Sequence, residues 1–377
     1  MSQGTDSIAQ QIGEWSVPKS AKYLLVGSTE AYSGKSATIL GIAHHLQQRG
    51  LDIAYGKPLG TLWGGPQAAD ANREDLQFVT QTLNLPTHRL LPTILSLDES
   101  TIQKRVRGED QTDYAQAIRS SLQLGGADVA LLEGAENLEE GTLFDLSLVQ
   151  LAEILDAQVL LVARFHSLLI VGALISAKRR LGDRLLGVVI NDIPEERLGE
   201  VKTTVQPYLE ERGVPILGLL PSSALLRSVS VGDLAKQLGA EILCRPDRLD
   251  LMVESLSIGA MNVNSALKYF RKGRNMAVVT GGDRVDIQLA ALETSTQCLI
   301  LTGHIPLSPA VLSRAEDLEI PILSVDLDTL TTVEIVDRAF GQMRVHEPVK
   351  VQFIYKLMDE HFNIDRLIAD LGLTKTD

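Results

Sequence analysis

Cysteine is scarce: Cys244 and Cys298 are the only two in 377 residues. That excludes a disulfide framework and a four-cysteine zinc site and favours a reducing, cytoplasmic setting, with a single bridge left open. Aromatic residues are also few, at 4%, and 35 Lys and Arg are outnumbered by 48 Asp and Glu, for a net charge of −13. So acidic a chain has no broad means of capturing nucleic acid or anionic membrane, and neither is an expected partner, although a local basic site is compatible with that balance. Long apolar runs are missing too. The most membrane-like stretch, 159–175, is broken by Arg164 and His166 and falls short of the ~20 apolar residues that span a bilayer. It reads instead as a buried strand, Val159–Ala163, then a helix capped by Ser167 and ending near Lys178, Arg179 and Arg180. Residues 1–19 carry Asp6 and Glu14 and show no secretory signal; 1–20 reads as a loose arm.

What is present is a globular composition, 45% hydrophobic and rich in Leu, Val and Ile, which excludes disorder over most of the chain. Short continuous apolar runs at Tyr23–Gly27, Ile53–Tyr55, Val129–Leu132, Val159–Val162, Leu186–Ile190 and Ile216–Leu219 suit strands covered on both faces. Helical or polar segments separate them, and Lys35–Arg49 has helical spacing through Ile39, Ile42, Ala43 and Leu46. The alternation predicts an α/β fold, a mostly parallel sheet with helices on both faces, over 21–221. A second, smaller α/β domain is expected over 222–345. Its strands are Met276–Thr280, Cys298–Thr302 and Ile320–Val325, and its helices include Asp286–Leu292, Pro309–Ala315 and Thr331–Phe340. The remainder, 346–377, is an amphipathic helical tail that covers the second domain or mediates self-association.

The main chemical signal lies between the first strand and the first helix, in Val26-Gly27-Ser28-Thr29-Glu30-Ala31-Tyr32-Ser33-Gly34-Lys35-Ser36. A strand-to-helix loop aims backbone N–H groups at phosphate, and the helix dipole favours the negative charge. Lys35 can reach terminal phosphates and Ser36 can offer its hydroxyl to Mg²⁺, so the pattern suits a nucleoside triphosphate. Thr29, Ser33 and Gly34 complete the candidate cradle. The spacing departs from G-x-x-x-x-G-K-[ST]: six residues separate Gly27 from Gly34, and Thr29 stands where the first glycine belongs. A plain turn and helix start is the alternative.

Lys57, in Gly56-Lys57-Pro58-Leu59-Gly60-Thr61, follows the second strand, and Glu133 ends a later one. Parallel strands share one C-terminal edge, so Lys57, Thr61 and Glu133 are expected to approach the phosphate loop. Glu133 is a candidate Mg²⁺ carboxylate, with Asp75 or Asp70 as a further one, because Mg²⁺ takes one or two carboxylates and keeps several waters. In the second domain, Gly281-Gly282-Asp283-Arg284 sits at a strand-to-helix turn: Asp283 is expected to cap the helix, and the readings are a tight turn or an anion-accepting pocket shared with the loop after Thr302-Gly303-His304. Asn262, Asn264 and Ser265 read as turn formers. His44-His45 lacks the spacing of a zinc motif, the other histidines are dispersed, and no Gly-x-Ser-x-Gly elbow occurs. Trp63 reads as a loop anchor.

On these residues, 23–221 resembles the dethiobiotin synthetase and cobyrinate amidase superfamily of P-loop proteins, through Gly34-Lys35-Ser36, Lys57-Pro58, Glu133-Gly134-Ala135, Gly187–Asn191 and Pro215–Pro221. With Gly281-Gly282-Asp283-Arg284 following, 23–340 resembles the N-terminal region of long phosphate acetyltransferases, where a degenerate synthetase-like domain precedes a DRTGG domain. The resemblance implies phosphate and metal positions at Lys35, Ser36 and Glu133, a substrate region at Lys57 and Thr61, and a base-reading position at Asn191. Ser28 replaces the glycine that opens the synthetase loop, and Glu136-Asn137-Leu138-Glu139-Glu140 replaces the glycine-rich continuation, placing acids where they oppose a second anion. The expectation is a cytoplasmic nucleotide-binding regulatory protein using ATP or a related nucleotide with Mg²⁺. It transfers no acetyl group, since the chain ends at Asp377, where that catalytic domain would begin. The rivals are an ATP-dependent carboxylate or carbamate ligase and an interaction module with a vestigial site, a homo-oligomer or one docking a protein through the second domain or tail.

Overall fold

The computed structural model describes residues 23–61, 75–122, 126–341, 345 and 347–373. The expected arm, Trp63, Asp70 and the side chain of Thr61 lie outside the described residues. The chain divides into one compact unit of 1–191, 199–220 and 357–377 and another of 192–198 and 221–356.

In the first unit, Tyr23–Ser28 is buried along nearly its whole length, as a continuous apolar run requires when both faces of a sheet are covered. It belongs to a seven-stranded sheet in the order Leu90–Leu91, Ile53–Gly56, Val129–Glu133, Tyr23–Ser28, Gln158–Arg164, Leu185–Ile193, Ile216–Pro221. The first six strands are joined by parallel pairings. Register sets the site: Val26 pairs with Glu133 and Tyr55 with Leu131, so the ends of three strands reach one edge. The expected strands are all present. Leu90–Leu91 and the two-stranded pair Leu59–Thr61 with Leu95–Leu97 are additional, each too short for a hydrophobic period to reveal.

Helix Lys35–Gln48 buries Ile39, Ile42, Ala43 and Leu46 against the sheet, the face its spacing predicts. The helix after Gln158–Arg164 differs from expectation. It runs Ile170–Leu181 with Leu169 at its N-cap and no side-chain cap. The Ser167 hydroxyl accepts the Leu169 N–H at 3.3 Å, a local turn that delays the helix start instead of capping it.

The second unit contains a five-stranded sheet in the order Glu241–Cys244, Ile322–Val325, Thr296–Thr302, Met276–Gly281, Ser255–Ile258, parallel except for Glu241–Cys244. Helices Val263–Phe270, Val285–Leu292 and Pro309–Asp317 contribute Phe270, Ile287 and Val311 to one core. Val231–Leu238 and Thr329–Gly341 contribute Leu234 and Val336 to another. The described helices include none long and apolar enough to cross a membrane.

The tail forms helices Pro348–His361 and Ile364–Asp370. The tail is divided: through Lys356 it belongs to the second unit, and from Leu357 onward to the first. Two glycines allow the close approach of its later part: a Cβ built at Gly41 would stand 2.4 Å from Met358 Cγ and force a shift there, and one at Gly218 would stand 3.0 Å from Phe362 Cδ2, tight enough to push that ring back. The Asn363 N–H then bonds the Leu217 carbonyl at 2.7 Å, and Leu367 is fully buried.

Candidate functional site

The loop after Tyr23–Ser28 turns into its helix through Gly34, whose φ of 100° lies in the left-handed region. Asn191, at the end of a strand two places away in the sheet, donates from Nδ2 to the Ser33 carbonyl at 2.9 Å and braces this turn. Ser33 is fully buried, and its hydroxyl has no hydrogen-bond partner among the described residues. The Thr38 hydroxyl closes the first helical turn on the Gly34 carbonyl at 3.0 Å. Thr29 lies in the bend that opens the loop, and Tyr32, at φ 53° and half exposed, on its outer side.

Glu133 is the hub. It is 5% exposed, and the Ser36 hydroxyl lies 3.4 and 3.3 Å from its two carboxylate oxygens. The Tyr55 hydroxyl donates to Oε2 at 3.1 Å, and the Lys57 ammonium stands 3.3 Å from Oε1. Burial opposes the charge on Lys57, but attraction from Glu133, Glu136 and Asp75 outweighs it and raises its pKa. Burial, then the negative charge of Glu133 and its hydrogen bond, pushes the Tyr55 phenol well above its usual range. At neutral pH Lys57 is therefore an ammonium and Tyr55 a phenol, and each carboxylate oxygen of Glu133 faces a donor.

The sequence-derived residues Lys35, Ser36, Lys57 and Glu133 thus meet at one strand edge, and the charge of Asp75 reaches both Tyr55 and Lys57. Lys35, 6% exposed, donates to the Ser28 hydroxyl at 3.0 Å and lies 3.5 Å from Glu136 Oε2. The Ser28 hydroxyl donates in turn to the Glu136 carbonyl at 2.8 Å. Sequence reasoning missed Tyr55, which reads as one more apolar strand residue. It also treated Ser28 and Glu136 as departures without seeing that both contact the lysine.

The oxygen donors fit a hydrated Mg²⁺: Ser36 and Glu133 are adjacent and face the loop, and such an ion needs only one or two carboxylates beside water and phosphate oxygens. Among the described residues no group of three or more His, Cys, Asp or Glu could hold a metal by itself. The His44 ring is hydrogen-bonded to Gln48 at 2.8 Å.

In the second unit, Arg284 occupies the N-cap of Val285–Leu292 without a side-chain cap, so Asp283 does not cap it as expected. Gln288, from the next turn, supplies the missing order: fully buried, it donates to the carbonyls of Gly281 and Gly282 at 2.9 and 3.1 Å. The Gly282 N–H bonds the Thr302 carbonyl at 3.0 Å, which brings together the two loops expected to share a pocket. Arg284 is held by Asp286 at 3.1 Å and by the Met261 carbonyl at 3.0 Å. Asn262 accepts the Ser265 N–H at 3.0 Å and caps Val263–Phe270, in keeping with a turn-forming role.

Residues 22–230 match the family model of an AAA domain and residues 233–339 that of the DRTGG domain. A phosphate acetyltransferase from Nitratidesulfovibrio vulgaris is 24% identical over 364 residues, covering 91% of this chain and 51% of that protein. One from Synechocystis is 24% identical over 366 residues, covering 92% and 51%. The chain thus spans about half the length of these relatives. A probable cobyric acid synthase from Methanothermobacter thermautotrophicus is 29% identical over 232 residues, 54% of this chain and 45% of that protein. The first match takes in the strand, loop and helix that carry Lys35 together with the strand that ends at Glu133. The chain belongs to the AAA domain family, in its dethiobiotin-synthetase-like P-loop form, with a DRTGG domain following.

Proposed function

We propose that this chain is a nucleotide-binding regulatory protein, in which ATP or a related nucleotide is held with Mg²⁺ at the Gly34-Lys35-Ser36 loop and its occupancy is read out through the DRTGG region. The observation that carries this reading is the meeting of Lys35, Ser36, Lys57 and Glu133 at one helix N-terminus and strand edge. In it, Lys35 and the loop amides bind phosphate, Ser36 and Glu133 hold the ion, Tyr55 and Lys57 fix the Glu133 carboxylate, and Asn191 keeps the loop in its turn. Mg²⁺, when bound, neutralises and orients phosphate oxygens. Regulation requires that the nucleotide bind two states of the chain with different affinity.

Titration calorimetry with ATP, with and without Mg²⁺, tests the site. Binding by the wild type that is lost in Lys35→Ala supports it; equal affinity in both proteins, or none in either, overturns it. A ligase is the second reading, favoured by the buried Lys57 ammonium at this edge. Its signature is substrate-stimulated ADP formation lost in both Lys35→Ala and Lys57→Ala.

A further inference from the structure

Lys35 already has an anionic partner. Its ammonium is buried between the Ser28 hydroxyl at 3.0 Å and the Glu136 carboxylate at 3.5 Å, and Ser28 in turn holds the Glu136 carbonyl at 2.8 Å. A terminal phosphate needs the same ammonium, and beside the Glu136 carboxylate it would meet like charge at close range.

We propose that Glu136 is an internal occupant of the phosphate position, a latch that keeps Lys35 paired and that a nucleotide must displace; this rests on the nucleotide reading above. The exchange has a direction. The Lys35 side chain is 6% exposed and needs a counter-ion wherever it stays, whereas that of Glu136 is 32% exposed and can turn out to water. Phosphate entry therefore replaces one ion pair with another, and the penalty falls on moving Glu136.

The segment around Glu136 is built to hold it in place. Asn137 Oδ1 accepts the N–H groups of Glu139 and Glu140 at 2.9 and 3.0 Å, a tight local turn. The Glu140 carboxylate accepts the Glu136 N–H at 2.6 Å. Arg180, on helix Ile170–Leu181, grips both carboxylate oxygens of Glu139, one of them at 2.9 Å, and so fixes the turn from outside the loop. Arg180 is remote from the lysine in sequence and reaches it through this relay.

The test is titration calorimetry of the full chain with MgATP. Glu136→Gln, which keeps the backbone carbonyl that Ser28 uses, is expected to bind at least tenfold more tightly than the wild type. Arg180→Ala, by loosening the turn, is expected to bind severalfold more tightly, and Lys35→Ala not at all. Circular dichroism and thermal unfolding establish that each variant is folded; if Glu136→Gln is not, Arg180→Ala decides. Unchanged affinity in the folded latch variants, with binding still lost in Lys35→Ala, overturns the latch and leaves the nucleotide site standing. No binding by any variant, or a Lys35→Ala protein that binds like the wild type, overturns both.

Discussion

The Tyr55 hydroxyl donates to Glu133 Oε2 at 3.1 Å from a ring that is 2% exposed. Burial and the negative charge of Glu133 hold that phenol protonated far beyond neutral pH, so it acts as a donor throughout the working range. Its contribution falls on Glu133, a buried carboxylate that would otherwise rely on Lys57 and Ser36.

Removing the hydroxyl in Tyr55→Phe keeps the ring and deletes one donor to a charged group, a loss of about 1.5–3 kcal/mol. Lys57→Met is expected to cost more, about 3–5 kcal/mol, because it strips the counter-charge from a buried carboxylate. Urea denaturation of the two variants checks both values and their order. The reverse order would show that Glu133 is held by its hydrogen bond and not by the ion pair.

Gly34 makes a separate prediction. At φ 100° any side chain is strained, and a Cβ there would stand 2.4 Å from Asn191 Nδ2. Gly34→Ala is expected to destabilise by more than ~1 kcal/mol. Asn191→Ala removes the obstructing amide but leaves the dihedral strain, so in a double-mutant cycle the pair is expected to cost less than the sum of the singles. Strict additivity would mean that the Asn191 amide moves aside at no cost.

How much of this was legible in the sequence follows from what each element depends on. Runs such as Leu24-Leu25-Val26 and Val129–Leu132 announce themselves because a strand covered on both faces is apolar throughout. From there, parallel connection alone brings Lys35, Lys57 and Glu133 to one edge. The two-residue strand Leu90–Leu91 carries no period, and the docking of the tail depends on Gly41 and Gly218, which look like any other glycines. Tyr55 sits in an apolar run where its hydroxyl has no visible purpose until register sets it beside Glu133. Ser28 and Glu136 are 108 residues apart, and nothing local shows that they close on the same lysine.

His45 gives stability a dependence on pH. It is 3% exposed, 3.5 Å from Asp359 on the tail, with His44, Arg49 and Asp365 also acting on it. Burial, the largest influence, lowers its pKa, Arg49 and His44 add to the lowering, and Asp359 and Asp365 oppose it without reversing it. Burial lowers His44 as well. A histidine that is harder to protonate when folded leaves the unfolded chain holding more protons once the pH falls below about 6.5, so stability declines on acidification. Asp98 and Glu139, with lowered carboxylate pKa values, contribute their losses only at more acidic pH. Urea midpoints are therefore expected to drop between pH 7.5 and 5.5, and less steeply in His45→Asn. An unchanged slope in that variant would assign the loss to His44 or to other groups.

In the second unit, the prediction concerns the amide of Gln288. Its Nε2 faces two carbonyl oxygens, those of Gly281 and Gly282, and an oxygen placed there would face two acceptors with no proton between them. Gln288→Leu leaves both carbonyls without this donor, at about 1–3 kcal/mol for each one that water does not reach. Gln288→Glu has nearly the same shape but puts a carboxylate oxygen in the donor's place, in a residue that is fully buried. At pH 7 it is expected to be the worse of the two, since it adds an unpaired buried charge to the lost bonds. Protonation restores one O–H donor, which raises the pKa of the introduced acid and returns stability as the pH falls, a trend opposite in sign to that of His45. Denaturation of the two variants at pH 7 and pH 5 measures the difference. Glu is expected to recover on acidification while Leu does not; a Glu variant no more sensitive to pH than Leu would show that the introduced carboxylate escapes the two carbonyls and reaches water.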